Sequence, residues 1–167
     1  MSNSENSFTE HRFNINGLTM TAKLWGPQNG QPVIALHGWL DNAASFDLLA
    51  QQLPDLRICA VDLIGHGHSD HRPGWGHYYF NEYVFDVLEL AAQLGWSRFN
   101  LMGHSMGAHI SVMTAGVEPQ LINKLLLLEG FGAPSMVAPD ALPKLTQTAF
   151  RKTVGLRQKT APVYPSL

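Results

Sequence analysis

The chain has 167 residues, 45% hydrophobic and 14% charged, with a formal net charge of −2. That is enough for one domain with a real core, and it excludes a disordered chain, a polycation for nucleic acid and an acidic tail. The single cysteine, Cys59, cannot close an internal disulfide, the polar start MSNSENSFTEHRF has no apolar signal region, and the longest aliphatic run, 125–128, is far too short to span a bilayer. A cytoplasmic protein with no nucleic-acid or membrane partner is the expectation.

Residues 9–14 and 18–25 read as two strands around an Asn16-Gly17 turn. A loop, 26–32, precedes a short apolar run at 33–36, the mark of a strand buried on both faces. Residues 43–53 carry Phe46, Leu49 and Leu53 at helical spacing, with Pro54 after the end. Another buried strand is predicted at 57–63. Residues 82–94 place Val84, Val87, Leu88, Ala91 and Leu94 on one stripe, with Asn81 before and Gly95 after. A strand at 99–103, a helix of small and apolar residues at 105–117 ended by Pro119, and a further buried strand at 125–128 follow. From 133 onward the pattern changes: five prolines fall between Pro134 and Pro165, around one helix near 142–154. A hairpin leading into alternating strands and helices predicts an α/β fold, a mostly parallel sheet with helices on both faces. No internal repeat or low-complexity tract interrupts it.

The chemistry gathers at Gly103-His104-Ser105-Met106-Gly107, a Gly-X-Ser-X-Gly pattern between a predicted strand and a predicted helix. In that context the serine sits on a strained turn with Oγ exposed above the sheet, and side chains at the flanking positions would collide with neighbouring backbone. Acyl transfer also needs backbone N–H donors for the developing oxyanion. Met106, at the start of the helix, supplies one; Trp39, in the His37-Gly38-Trp39 loop after the strand at 33–36, is the candidate for the other. A third element, Asp62-Leu-Ile-Gly65-His-Gly67-His-Ser69, follows a buried strand as a glycine-shaped turn. Asp62 is read as structural, bonding nearby backbone amides.

HGW, DLIGHGHSD and GHSMG in this order resemble the α/β-hydrolase superfamily. HGWLDN before a helix and the late Pro-Val-Tyr-Pro-Ser-Leu segment resemble the branch called serine hydrolase-like proteins, over essentially 24–167. The resemblance implies Ser105 as nucleophile and Trp39 and Met106 as oxyanion donors. A serine there argues against haloalkane dehalogenases and epoxide hydrolases of the same fold, which use aspartate. It also implies an interior position for the strand at 125–128.

A rival reading takes His66-Gly-His68-Ser-Asp70-His71 as H-x-H-x-D-H, which resembles the zinc motif of metallo-β-lactamase-type hydrolases. The glycine turn already explains these residues, HGWLDN would stay unexplained, and the gap to His104 is short for that family. His71 and His77 are expected on the surface, His37 bonded to loop backbone, His104 pointing away from Oγ, and His109 packing or capping.

In this fold the triad runs Ser, then Asp or Glu, then His. No histidine follows His109, the usual acid position is not reached either, and Glu129, at the end of the last predicted strand, reads as a residue lining the pocket entrance, with the triad acid as its alternative role. The chain therefore reads as the N-terminal part of a hydrolase, with core residues 1–132 and the start of a cap at 133–167, truncated after the sixth strand. The leading function is a serine hydrolase for ester, thioester or related acyl substrates, with no cofactor or metal. The alternatives are a non-catalytic fragment that binds a ligand or partner, and third the zinc hydrolase. Self-association or a complementing C-terminal segment is the expected partnership.

Overall fold

A computed structural model describes residues 8–74 and 76–130. The expected cap, 133–167, and its helix near 142–154 lie outside the described residues. The element order is β1 (Thr9–Ile15), β2 (Leu18–Trp25), β3 (Gln31–Leu36), a 3₁₀ turn (Ala43–Phe46) running into α1 (Asp47–Gln51), β4 (Leu56–Val61), α2 (Phe80–Gln93), β5 (Phe99–His104), α3 (Met106–Val117), a second 3₁₀ turn (Pro119–Leu121) and β6 (Ile122–Leu128). The strands form one sheet ordered β1-β2-β4-β3-β5-β6. β1 pairs antiparallel with β2, and β2 with β4; the pairings among β4, β3, β5 and β6 are parallel. This is the expected α/β class.

Strand side chains alternate between faces, so each apolar run feeds two cores. Ile34 and Leu36 of β3, with Cys59 and Val61 of β4, pack with Val87 and Leu90 of α2 and Ile110 of α3. Val33, Ala35, Ile58 and Ala60 meet Ala43, Phe46 and Ala50 on the other face. Both faces being covered explains why these strands read as continuous apolar runs. Each fully buried Ile or Leu contributes about 2 kcal/mol. Cys59 is fully buried, and burial pushes its thiol up to about 12.

Three expectations are adjusted. The helix expected at 43–53 is shorter and begins as 3₁₀, with the Asn42 side chain accepting from Ala44 N at 2.9 Å. Leu49 is 37% exposed, so of the expected stripe Phe46 is buried against the sheet with Ala43 and Ala50, and Leu53 packs beside them half-buried. α2 starts at Phe80, before Asn81, so Asn81 makes no cap; the helix closes with Gly95 N–H on Ala92 O and Trp96 N–H on Ala91 O, both 3.0 Å. The burial expected for 125–128 is not met: Leu125 and Leu126 are 39% and 48% exposed, because β6 is the sheet edge among the described residues.

The register places the ends of the parallel strands together. Leu36 pairs with Val61 and with Gly103, and His104 pairs with Leu128. The segments that follow β3, β4, β5 and β6 therefore leave from one edge of the sheet, where ligands bind in open α/β folds.

Candidate active site

One residue turns β5 into α3. Ser105 has φ 49° and ψ −110°, a backbone conformation costly for a residue with a side chain. Its neighbours hold it there. Its N–H donates to Leu128 O at 3.0 Å, and its carbonyl accepts from Ala108 N at 3.0 Å, His109 N at 3.3 Å and His109 Nδ1 at 3.0 Å. The flanking glycines let three backbones meet. A Cβ at Gly103 would overlap the Gly107 carbonyl and Ser111 Oγ, and one at Gly107 would overlap the carbonyl oxygens of Leu36 and His37. Among the described residues, none hydrogen-bonds Ser105 Oγ.

The loop after β3 reaches this serine. A Cβ at Gly38 would lie 3.4 Å from Ser105 Cβ and 3.1 Å from His104 Nδ1. His37 is buried and bonds loop backbone as expected: Nε2 accepts from Leu63 N at 3.0 Å, which leaves the proton on Nδ1, donated to Gly38 O at 2.7 Å. Burial holds its pKa below the ordinary value near 6.5. Trp39 follows, 64% exposed, then Leu40, 80% exposed at φ 57°. Met106 is the first residue of α3, and helix geometry leaves its N–H without an intrahelical partner. The segments bearing Trp39, Ser105 and Met106 thus meet: Gly38, beside Trp39, packs against Ser105, and Met106 follows Ser105 as the first residue of α3.

The turn after β4 is structural in the way expected. Asp62 Oδ1 accepts from Ala43 N and Oδ2 from His68 N, each at 2.7 Å. Ser69 Oγ donates to Asp62 O at 2.6 Å, and Asp70 Oδ2 accepts from Thr19 N at 2.7 Å, which holds the Asp70 carboxyl below its usual range. Its histidines diverge. The His66 ring is buried against His37 and Trp39, whereas His71 Nδ1 lies 3.4 Å from Tyr78 OH. Among the described residues no group of three His, Cys, Asp or Glu side chains is placed to hold a metal ion.

Glu129 directly follows β6, exposed, at φ 51°. Its neighbour Gly130 lies against the serine: a Cβ there would be 3.0 Å from Ser105 O. Sequence reading missed two contacts. His109 reaches back to Ser105 O, which the four-residue spacing along a helix makes legible; the ring contact of His66 with Trp39 has no such local signal. A cleft of about 570 Å³ lined by Arg72, His77, Tyr79, Glu82 and Asp86 includes none of Ser105, Trp39 and Met106 in its wall. Among the described residues no helix is long and apolar enough to cross a membrane.

Comparison with known proteins agrees with this geometry. The chain is 44% identical over 119 residues to a serine hydrolase-like protein of Dictyostelium discoideum, covering 70% of this chain and 33% of that protein. It is 39% identical over 125 residues to a serine hydrolase-like protein of Danio rerio, covering 74% and 38% respectively. The chain thus spans about a third of the length of these relatives. A crystal structure of a hypothetical protein from Pseudomonas aeruginosa superposes with TM-score 0.73 at 48% identity, over 93% of this chain and 54% of that one. A thioesterase domain from the curacin biosynthetic pathway, at 24% identity and TM-score 0.70 over 96% of this chain and 55% of its own, shares the fold. The model of the alpha/beta hydrolase fold family matches residues 31–161. With the parallel sheet, the serine turn and this match together, the chain belongs to the α/β-hydrolase fold family.

Proposed function

We propose that this protein is a serine hydrolase acting on ester, thioester or related acyl substrates through an acyl-enzyme on Ser105. The observation that carries the reading is the strained Ser105 between β5 and α3, with Gly38 packed against it so that the loop bearing Trp39 flanks the start of α3. Ser105 Oγ attacks the acyl carbon. An Oγ–C bond forms, and the carbonyl oxygen takes negative charge beside the N–H groups of Trp39 and Met106. The leaving group departs with a proton, and water then cleaves the acyl-enzyme to the free acid and Ser105. The helix N-terminus adds favourable field for the anion.

Glu129, whose neighbour Gly130 packs beside Ser105 O, is the alternative acid in this scheme. The histidine follows the acid in this fold. Residues 110–167 contain none, so the scheme takes its base from a further segment or a second chain. The names of the curated relatives support the hydrolase class.

The test is active-site labelling. With the segment or chain that supplies the base present, a dialkyl fluorophosphate is expected to modify Ser105, with the adduct mapped by peptide mass spectrometry and lost in Ser105→Ala. Labelling that persists in Ser105→Ala overturns the assignment.

A further inference from the structure

We propose that His66 is a positioning residue for the oxyanion donor: the turn after β4 holds its ring against the Trp39 indole and thereby fixes the Trp39 backbone N–H beside Ser105. The inference rests on the serine-hydrolase reading and adds to it a residue that touches neither substrate nor nucleophile.

The loop after β3 needs such a support. Its base is bonded: Gly38 O accepts from His37 Nδ1 at 2.7 Å and from Asp41 N at 3.3 Å. Its tip is not. Trp39 and Leu40 are mostly exposed, and Leu40 sits at a positive φ that disfavours a side chain. The ring contact Trp39 makes among the described residues is edge-on to His66, with centroids 5.6 Å apart and planes at 77°. A contact of this class is worth up to about a factor of ten in population.

His66 is built to be that support. It is 7% exposed, and its ring also packs edge-on against His37 at 5.1 Å and 62°. His66 Nδ1 lies 3.4 Å from Ile64 O, which limits its rotation. Its backbone is bonded on both sides, N–H to Leu63 O at 2.8 Å and carbonyl from Ser69 N at 3.1 Å. The next residue, Gly67, packs so closely on the Asp62 carboxylate that a Cβ would overlap it. The turn is therefore over-determined, and the ring it presents is a fixed post. The pattern that resembles a zinc motif gives its first histidine a mechanical task.

The donor is a main-chain amide, so changing either side chain leaves the donor's chemistry intact. Any loss is a loss of position. The test is the rate of Ser105 modification by a small dialkyl fluorophosphate, with the base-supplying segment or chain present, in a double-mutant cycle of His66→Ala and Trp39→Ala, with His66→Phe as the ring-conserving variant. Each alanine variant is expected to lower the limiting rate about tenfold, with the half-saturating concentration changed less than twofold. The double variant is expected to be no slower than either single one, and His66→Phe to recover most of the rate. Additive losses, or no recovery by His66→Phe, overturn the proposal. If His66→Ala does not fold, Trp39→Ala decides alone, since its indole is mostly exposed; a rate within twofold of the parent overturns the proposal. A parent protein whose Ser105 is never labelled even with the base-supplying segment or chain present overturns the serine-hydrolase reading and this inference together. Labelling of Ser105 that neither alanine variant slows overturns this inference only.

Discussion

The turn after β4 and the loop after β3 leave the sheet side by side and are built in opposite ways. In the turn, four polar side chains in the run from Asp62 to Asp70 are bonded or stacked: Asp62 on two amides, Ser69 on a carbonyl, Asp70 on Thr19 N, His66 between two rings. In the loop, the tip carries two large apolar side chains in water and one strained residue. The turn looks richer in chemistry by residue type, yet its groups are satisfied by the protein's own backbone. The loop looks plain by residue type, yet its Gly38 packs against Ser105. Hydrogen-bond satisfaction, more than residue type, separates a support from a reactive site.

The contrast can be broken from the turn's side first. Asp62→Ala removes the acceptor of a buried amide, Ala43 N, and of a half-buried one, His68 N. The expected loss is about 3 kcal/mol in urea unfolding, since both donors are left unpaired. A loss under about 1 kcal/mol would mean that water replaces the carboxylate and that the turn is no stiffer than the loop.

His37 joins the two regions, and pH addresses it. Burial lowers its folded pKa below the ordinary value near 6.5, so below that value the unfolded chain takes up a proton that folded His37 refuses. Its contribution is complete above about pH 6.5 and is lost as the pH falls from there toward the lowered folded pKa, with a slope on the order of 1 kcal/mol per pH unit. His37→Gln is expected to flatten this part of the pH profile of unfolding free energy. An unchanged slope would assign it to other groups.

The smallest effect belongs to the loop's tip. Leu40→Gly relieves a positive φ at an exposed position, and the backbone entropy of glycine offsets part of the gain. The expected change is about 0.5 kcal/mol or less in either direction by urea midpoint. A loss above about 1 kcal/mol would show that the Leu40 side chain carries packing, and the contrast with the turn would shrink.

The same contrast explains what was legible in the sequence. The runs at 33–36 and 58–61 announce strands covered on both faces because every residue there meets apolar neighbours. The serine turn is legible because Gly103 and Gly107 stand where a Cβ would strike backbone, a constraint written in two letters. The start of α2 is not legible, since Tyr79 makes no side-chain cap and Asn81 falls inside the helix. Nor is the exposure of Leu125 and Leu126, which depends on what lies beside β6 rather than on its composition. The His66–Trp39 contact joins the ends of two different strands, and no local pattern encodes it. The same histidines fit a metal motif by type and spacing, and their backbone bonds become visible only when the strands are side by side.

Cys59 sits in the middle of β4, paired with Leu24 on one side and Ile34 on the other. Its thiol is fully buried and its pKa is pushed up to about 12, so at neutral pH almost none is thiolate and no reagent reaches it. An alkylating agent therefore modifies it only in molecules whose sheet has opened. The rate of that modification under native conditions is the opening equilibrium multiplied by the known reactivity of a free thiol. The chain thus carries one internal gauge of how often its central strands part, readable by mass without any denaturant.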